Sequence, residues 1–142
     1  KVTEISEGTY VFAALSDGVY KIAQNIETSK TYGYLYVNDV TSDGNTISTV
    51  SKGLTFTIKS TADGYTIQDE SARYLIMTGT YNSFNLTENP TEGQYWDITS
   101  NADGTFTIKN KATNKWIQYS KDYTSFGSYS DSRGVNPILF KK

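Results

Sequence analysis

The sequence predicts an all-β chain, and three observations predict it. Aromatic and β-branched residues are abundant, with 12 Tyr, 6 Phe and 2 Trp among 142 residues and Thr throughout, a mix that fits pleated, half-buried strands better than helices. Apolar residues alternate with polar ones in short runs, the period of a strand with one buried face. Asp-Gly pairs, which tolerate positive φ, punctuate those runs where a hairpin has to turn. A chain of this length is expected to fold as a single domain over residues 1–142, large enough to bury roughly two-thirds of its unfolded surface.

The elements follow in chain order. Tyr10 and Phe12 precede Asp17-Gly18, with Tyr20 and Ile22 after it; Phe56 and Ile58 precede Asp63-Gly64, with Tyr65 and Ile67 after it; Trp96 and Ile98 precede Asp103-Gly104, with Phe106 and Ile108 after it. The interval from the first aromatic to the Asp is seven residues in all three. Each segment reads as a hairpin, and its alternating apolar residues, Trp96 included, are expected in the core. A second shared word, an aromatic followed by an aliphatic residue, comes next: Tyr34-Leu35, Tyr74-Leu75 and Trp116-Ile117. In the last two copies it leads to Tyr81 with Phe84 and to Tyr123 with Phe126, 42 residues apart, whereas the first copy carries a polar hairpin around Asp43-Gly44.

Strands are therefore expected over roughly 19–24, 33–37, 46–50 and 54–59, then 64–69, 74–78, 83–87 and 94–99, then 104–109, 116–119, 126–130 and 137–141. This makes three units of four strands, over about 17–59, 64–99 and 104–141, with residues 10–14 left over as an extra N-terminal strand that replaces, extends or pairs with 137–141. Internal repeats decide architecture before anything else. Three units are too few for a propeller, and nothing in a sandwich calls for threefold symmetry.

Charge and composition exclude several classes. Net charge is −2 without a Lys/Arg cluster, so nucleic acid is not an expected partner. No apolar run approaches a bilayer-spanning length, so membrane insertion is not expected. The absence of His and Cys removes imidazole and thiol nucleophiles and the usual zinc or copper ligands. The chain starts at Lys1 without an initiator Met; it is expected to be a processed piece of an extracellular or cell-surface protein whose export signal lies outside it.

The threefold spacing, together with Gln94-Tyr95-Trp96 on the fourth strand of the second unit, resembles a β-trefoil of the ricin B-type lectin family, whose hallmark is Gln-any-Trp at that place. The resemblance spans residues 17–141. The other two units carry Leu54-Thr55-Phe56 and Asn136-Pro137-Ile138 there. The last unit is also similar to C-terminal segments of secreted bacterial polysaccharide-associated proteins. The resemblance implies three four-stranded repeats with pseudo-threefold symmetry, a six-stranded barrel capped by hairpins, and non-catalytic binding of a glycan or polysaccharide with no cofactor.

It also implies a polar residue near the end of each first strand that accepts hydrogen bonds from sugar hydroxyls, which points to Gln24, Asp69 and Asn110; the same side chains also suit Asx turns in their own loops. A pyranose packs its apolar face on an aromatic ring. Tyr81 and Tyr123, at hairpin tips, are the expected platforms, though a tyrosine there equally plugs a hairpin onto the barrel. Asn85, Tyr119 and Tyr129 flank the same places. No pair of carboxylates has the setting of a glycosidase, and no residue spacing matches a calcium loop. The expected activity is weak, multivalent glycan recognition; the alternative is a protein-interaction or inhibitor module using the segment from Ala23 to Gly33 together with the polar stretch 38–45.

Overall fold

Strands bounded by tight turns make up the computed structural model, which describes residues 1–48 and 51–142. In chain order they are β1 (Gly8–Ser16), β2 (Val19–Ala23), β3 (Tyr32–Gly33), β4 (Leu35–Val40), β5 (Phe56–Thr61), β6 (Gly64–Gln68), β7 (Tyr74–Ile76), β8 (Phe84–Thr87), β9 (Trp96–Ser100), β10 (Phe106–Asn110), β11 (Trp116–Ser120), β12 (Ser125–Tyr129) and β13 (Ile138–Lys141). Among the described residues there is no helix. The strand expected over 46–50 falls partly outside the described residues, and 46–48 join no ladder.

Six strands close a barrel. β1 pairs with β5, β5 with β6, β6 with β9 and β9 with β10. Phe106 N–H then donates to Pro137 O just before β13 at 2.9 Å, and β13 pairs with β1 to complete the ring. Closure leaves no barrel edge to be satisfied by another chain. The hairpins β2/β4, β7/β8 and β11/β12 cap one end. This is the β-trefoil that the repeat predicted.

The N-terminal strand is not surplus. β1 occupies the place that β6 and β10 occupy in the other two repeats: Tyr10 faces Phe56 as Tyr65 faces Trp96. Its outer half then leaves the barrel to pair with β2 through Asp17-Gly18, both at positive φ (51° and 77°). That turn therefore corresponds to the loops after Asp69 and Asn110, not to Asp63-Gly64 or Asp103-Gly104. Turn chemistry is local, so the same two letters mark two different turns. In this register Ala14, not Gln24, stands where the other repeats have Asp69 and Asn110.

Tyr10, Phe12, Phe56, Ile58, Ile67, Trp96, Ile98, Phe106, Ile108 and Leu139 share the buried barrel core. Phe12 and Phe56 stack with centroids 4.8 Å apart. The inward residue of β13 is Leu139, one place beyond Ile138, because Pro137 lends its carbonyl to Phe106 and fixes the register there. Tyr20 is only half-buried and sits in a second cluster, edge-on to Phe140, with Val11, Ala13 and Ile22. This cluster covers the outer face of β1, which is why its sequence lacks alternation.

Candidate functional site at the hairpin tips

Tyr32, Tyr34 and Tyr36 alternate with Gly33 and Leu35 along β3 and β4. A period of two puts the three rings on one face and Leu35 on the other: Tyr32 and Tyr36 are 67% and 54% exposed, whereas Leu35 is fully buried. Leu35 meets Phe126 in the β4–β12 ladder, Gly33 meets Phe84 in the β3–β8 ladder, and Ser128 N–H donates to Asn82 O at 2.9 Å. These three contacts hold the hairpin tips together as a triangle, with Leu35, Phe84 and Phe126 buried inside it.

A cleft of about 280 Å³ opens on this triangle. Tyr34 and Tyr36 enter it from the first hairpin, Asn82 from the second, and Tyr123, Ser125, Tyr129 and Arg133 from the third and the loop that follows it. A second cleft, about 520 Å³, adjoins it, sharing Tyr34 and Tyr36 and running along the 24–33 loop.

The buried Gln118 shapes the loop bearing Arg133. Its Nε2 donates to Asp131 O at 2.8 Å, and its Oε1 accepts from the N–H groups of Arg133 and Gly134 at 3.1 and 2.9 Å. Arg133 Nε reaches Asp131 Oδ1 at 3.0 Å, and its guanidinium carbon lies 4.7 Å from the centroid of the Tyr129 ring, close enough for a cation–π contact.

Tyr129 forms the floor. It is 1% exposed, and its hydroxyl finds no hydrogen-bond partner among the described residues. A Cβ on Gly127 would stand 2.7 Å from that hydroxyl and 3.0 Å from Cδ1 of Tyr34, so the absence of a side chain there makes room for both rings. Burial pushes the Tyr129 phenol up to about 12, Tyr34 adds to the shift, and Arg133 opposes it. Because the folded state holds this proton after the unfolded chain has released its own, the contribution to stability is complete below pH 10 and is lost as pH rises through about 12. Ultraviolet titration is expected to show a phenol ionising late, near 12, and Tyr129→Phe is expected to remove that step while leaving the earlier step at its full height; a late step that persists in the variant, with the earlier step reduced, contradicts the assignment.

The remaining expected site residues lie elsewhere. Asp69 and Asn110 do not face solvent, and their side chains are consumed by their own turns. Asp69 Oδ1 accepts from the N–H groups of Ser71 and Arg73, each at 2.9 Å, and Oδ2 accepts from Arg73 Nε at 2.9 Å. Asn110 Oδ1 accepts from the N–H groups of Ala112 and Thr113, while its Nδ2 donates to Gly93 O at 2.9 Å. Both are Asx turns that fix the exit from a barrel strand, which leaves no oxygen free to meet a sugar.

Tyr119 is also buried, tilted against Phe126 at 5.5 Å. Tyr81 is 70% exposed at its tip but lines neither cleft. Asn85 sits opposite Tyr32 in the β3–β8 ladder, with Nδ2 donating to Thr78 Oγ1 at 3.3 Å. Gln24 lines the larger cleft, for a reason unconnected with the end of a barrel strand. Of the expected residues, Tyr123 and Tyr129 are brought together. Tyr34, Tyr36, Asn82 and Arg133 join them unpredicted; the one available signal was a tyrosine at every second position from 32 to 36.

Neither a protein-family model nor a curated protein sequence matches the chain. Solved structures do match. SeviL bound to asialo-GM1 saccharide is similar with a TM-score of 0.67 at 15% identity, over 96% of this chain and 98% of that one. The Rhizoctonia solani agglutinin gives 0.63 at 16% identity over the whole of both chains. The designed 3-fold symmetric protein ThreeFoil gives 0.67 at 18% identity, over 95% of this chain and 99% of that one. The chain thus has a β-trefoil fold, with its pseudo-threefold axis passing through the triangle of hairpin tips.

Proposed function

We propose that this β-trefoil is a non-catalytic carbohydrate-binding module of the extracellular space or cell surface, and that it holds glycans at the triangle of hairpin tips. The observation that carries the reading is the cleft to which all three hairpins contribute, with tyrosine rings beside Asn82, Ser125 and Arg133. Rings of this kind suit the apolar face of a sugar, and the polar groups between them suit its hydroxyls. The fold it shares with an agglutinin and with a saccharide-bound protein supports the same reading. A shallow site exchanges water for sugar with little net gain, so single-site affinity is low and neighbouring copies or an attached partner supply avidity.

Two turn carboxylates, Asp103 and Asp43, are unsuited to act as a general acid. A general acid needs a raised pKa at neutral pH, whereas the hydroxyl and N–H of Thr105 hold the Asp103 carboxyl below its usual range, and the N–H groups of Asn45 and Thr46 do the same for Asp43.

A glycan array followed by calorimetry tests the proposal. Tyr36→Ala together with Tyr123→Ala is expected to weaken binding at least about tenfold, about 1.4 kcal/mol, with unchanged thermal unfolding. Absence of any carbohydrate binding at millimolar concentration sinks the proposal. A protein partner is the second reading, favoured by the exposed rings of Tyr32 and Tyr36 on the 23–36 segment; protein capture that free sugars do not compete away is the result that selects it.

A further inference from the structure

We propose that the two clefts on either side of Tyr34 and Tyr36 act as one groove, which holds consecutive residues of a neutral polysaccharide chain and not a lone terminal sugar. This rests on the carbohydrate reading above and specifies its ligand. The clefts, about 520 and 280 Å³, have Tyr34 and Tyr36 as a common wall, so a ligand leaving one enters the other. Exposed rings mark the path: Tyr32 in the larger cleft, Tyr123 in the smaller, and Tyr36 at the junction. A single sugar covers one ring, whereas a chain of linked sugars covers successive rings and gains from each.

Charge sets the chemical class. The ionised side chains lining the larger cleft are Glu27 and Lys30, which sum to zero. In the smaller cleft the single cation, Arg133, is held by Asp131 at 3.0 Å. Neither half carries a net positive charge to draw a uronate or sulfate, because Lys30 is balanced by Glu27 and Arg133 is bound to Asp131, so the groove matches an uncharged chain.

Tyr129 closes the smaller cleft from beneath: its hydroxyl and the edge of Tyr34 converge over Gly127, and that enclosed hydroxyl does not itself reach the groove.

Fluorine NMR of the whole chain labelled with 3-fluorotyrosine tests the inference. The probes are cello-, manno-, malto- and chito-oligosaccharides of one to six units, with oligogalacturonides as the acidic counterpart. The expected result is an affinity that rises at least about tenfold from monomer to hexamer, with tyrosine resonances of both clefts shifting together. Tyr32→Ala is expected to reduce hexamer affinity by about tenfold while leaving the monomer unaffected. Monomer binding as tight as hexamer binding, or shifts confined to one cleft, overturns the groove but leaves the carbohydrate reading standing. Tighter binding of the acidic series overturns the neutral class. Binding of none of these probes overturns the groove, and the glycan array then decides whether the carbohydrate reading falls with it.

Discussion

Trp96→Ala is expected to lower folding stability by about 3–5 kcal/mol, seen in urea as an earlier midpoint with an unchanged slope and in heating as a fall of roughly 10–20 °C. Trp96 is fully buried on β9, its Nε1–H donates to Leu75 O on β7 at 3.2 Å, and its ring lies tilted against Phe84 of β8, with centroids 6.2 Å apart. One side chain thus fastens the second cap hairpin to the barrel. Truncation leaves a large cavity at that joint, removes a donor from a buried carbonyl and loosens Phe84, which stands beside the pseudo-threefold axis. A domain of this size has about 5–15 kcal/mol in total, so the variant survives only narrowly. Trp96→Phe, which keeps a ring but not the donor, is expected to lose about 1–2 kcal/mol. A Trp96→Ala loss below about 1 kcal/mol is incompatible with this packing.

Asp69→Ala is expected to be of similar size, about 3–5 kcal/mol, for a different reason. The carboxylate is paired with Arg73 at 2.9 Å, and both side chains are largely buried. The guanidinium continues into the first repeat, with Nη1 donating to Lys30 O at 2.6 Å and Nη2 to Ile26 O at 2.7 Å. Removal of Asp69 strands a buried cation and frees two turn N–H groups, and Ala72, held at φ 62° in the same turn, loses its support. Ile26 and Lys30 also wall the larger cleft, so the same variant is expected to weaken oligosaccharide binding although Asp69 touches no ligand. The double variant Asp69→Ala with Arg73→Met is expected to recover part of the lost stability, because the unpaired charge is gone; the freed N–H groups keep recovery incomplete. A double variant less stable than Asp69→Ala contradicts this account.

Much of the fold was legible because its signals are local. Alternation at Phe56 and Ile58, or at Phe106 and Ile108, fixes a buried strand face whatever the partner strand is, and an aromatic every forty residues or so announces the repeat. The role of the first hairpin was not legible. Asp17-Gly18 and Asp63-Gly64 carry the same turn chemistry, and nothing within a few residues of either says that one turns outward to a cap hairpin and the other joins two barrel strands. Only β1 pairing with β5 and β13 at once decides that.

The candidate site divides in the same way. Asp69, Asn110, Tyr123 and Tyr129 were visible as polar or aromatic residues at strand ends and hairpin tips, but their use depends on what surrounds them in space. Asp69 and Asn110 turned inward because the barrel strand that each ends exits into a tight loop whose N–H groups need an acceptor.

By itself the sequence determined an all-β chain, its three repeats, and the residues that fill the barrel, because periodicity and turn chemistry act over a few neighbours. The tertiary structure alone decided which strand closes the barrel and where a ligand has room to sit. Closure joins strands about 130 positions apart, Phe12 to Leu139, and the cleft draws Tyr34, Asn82 and Tyr123 from three different hairpins. Such long-range contacts depend on how hairpins dock on one another, and no local pattern encodes that.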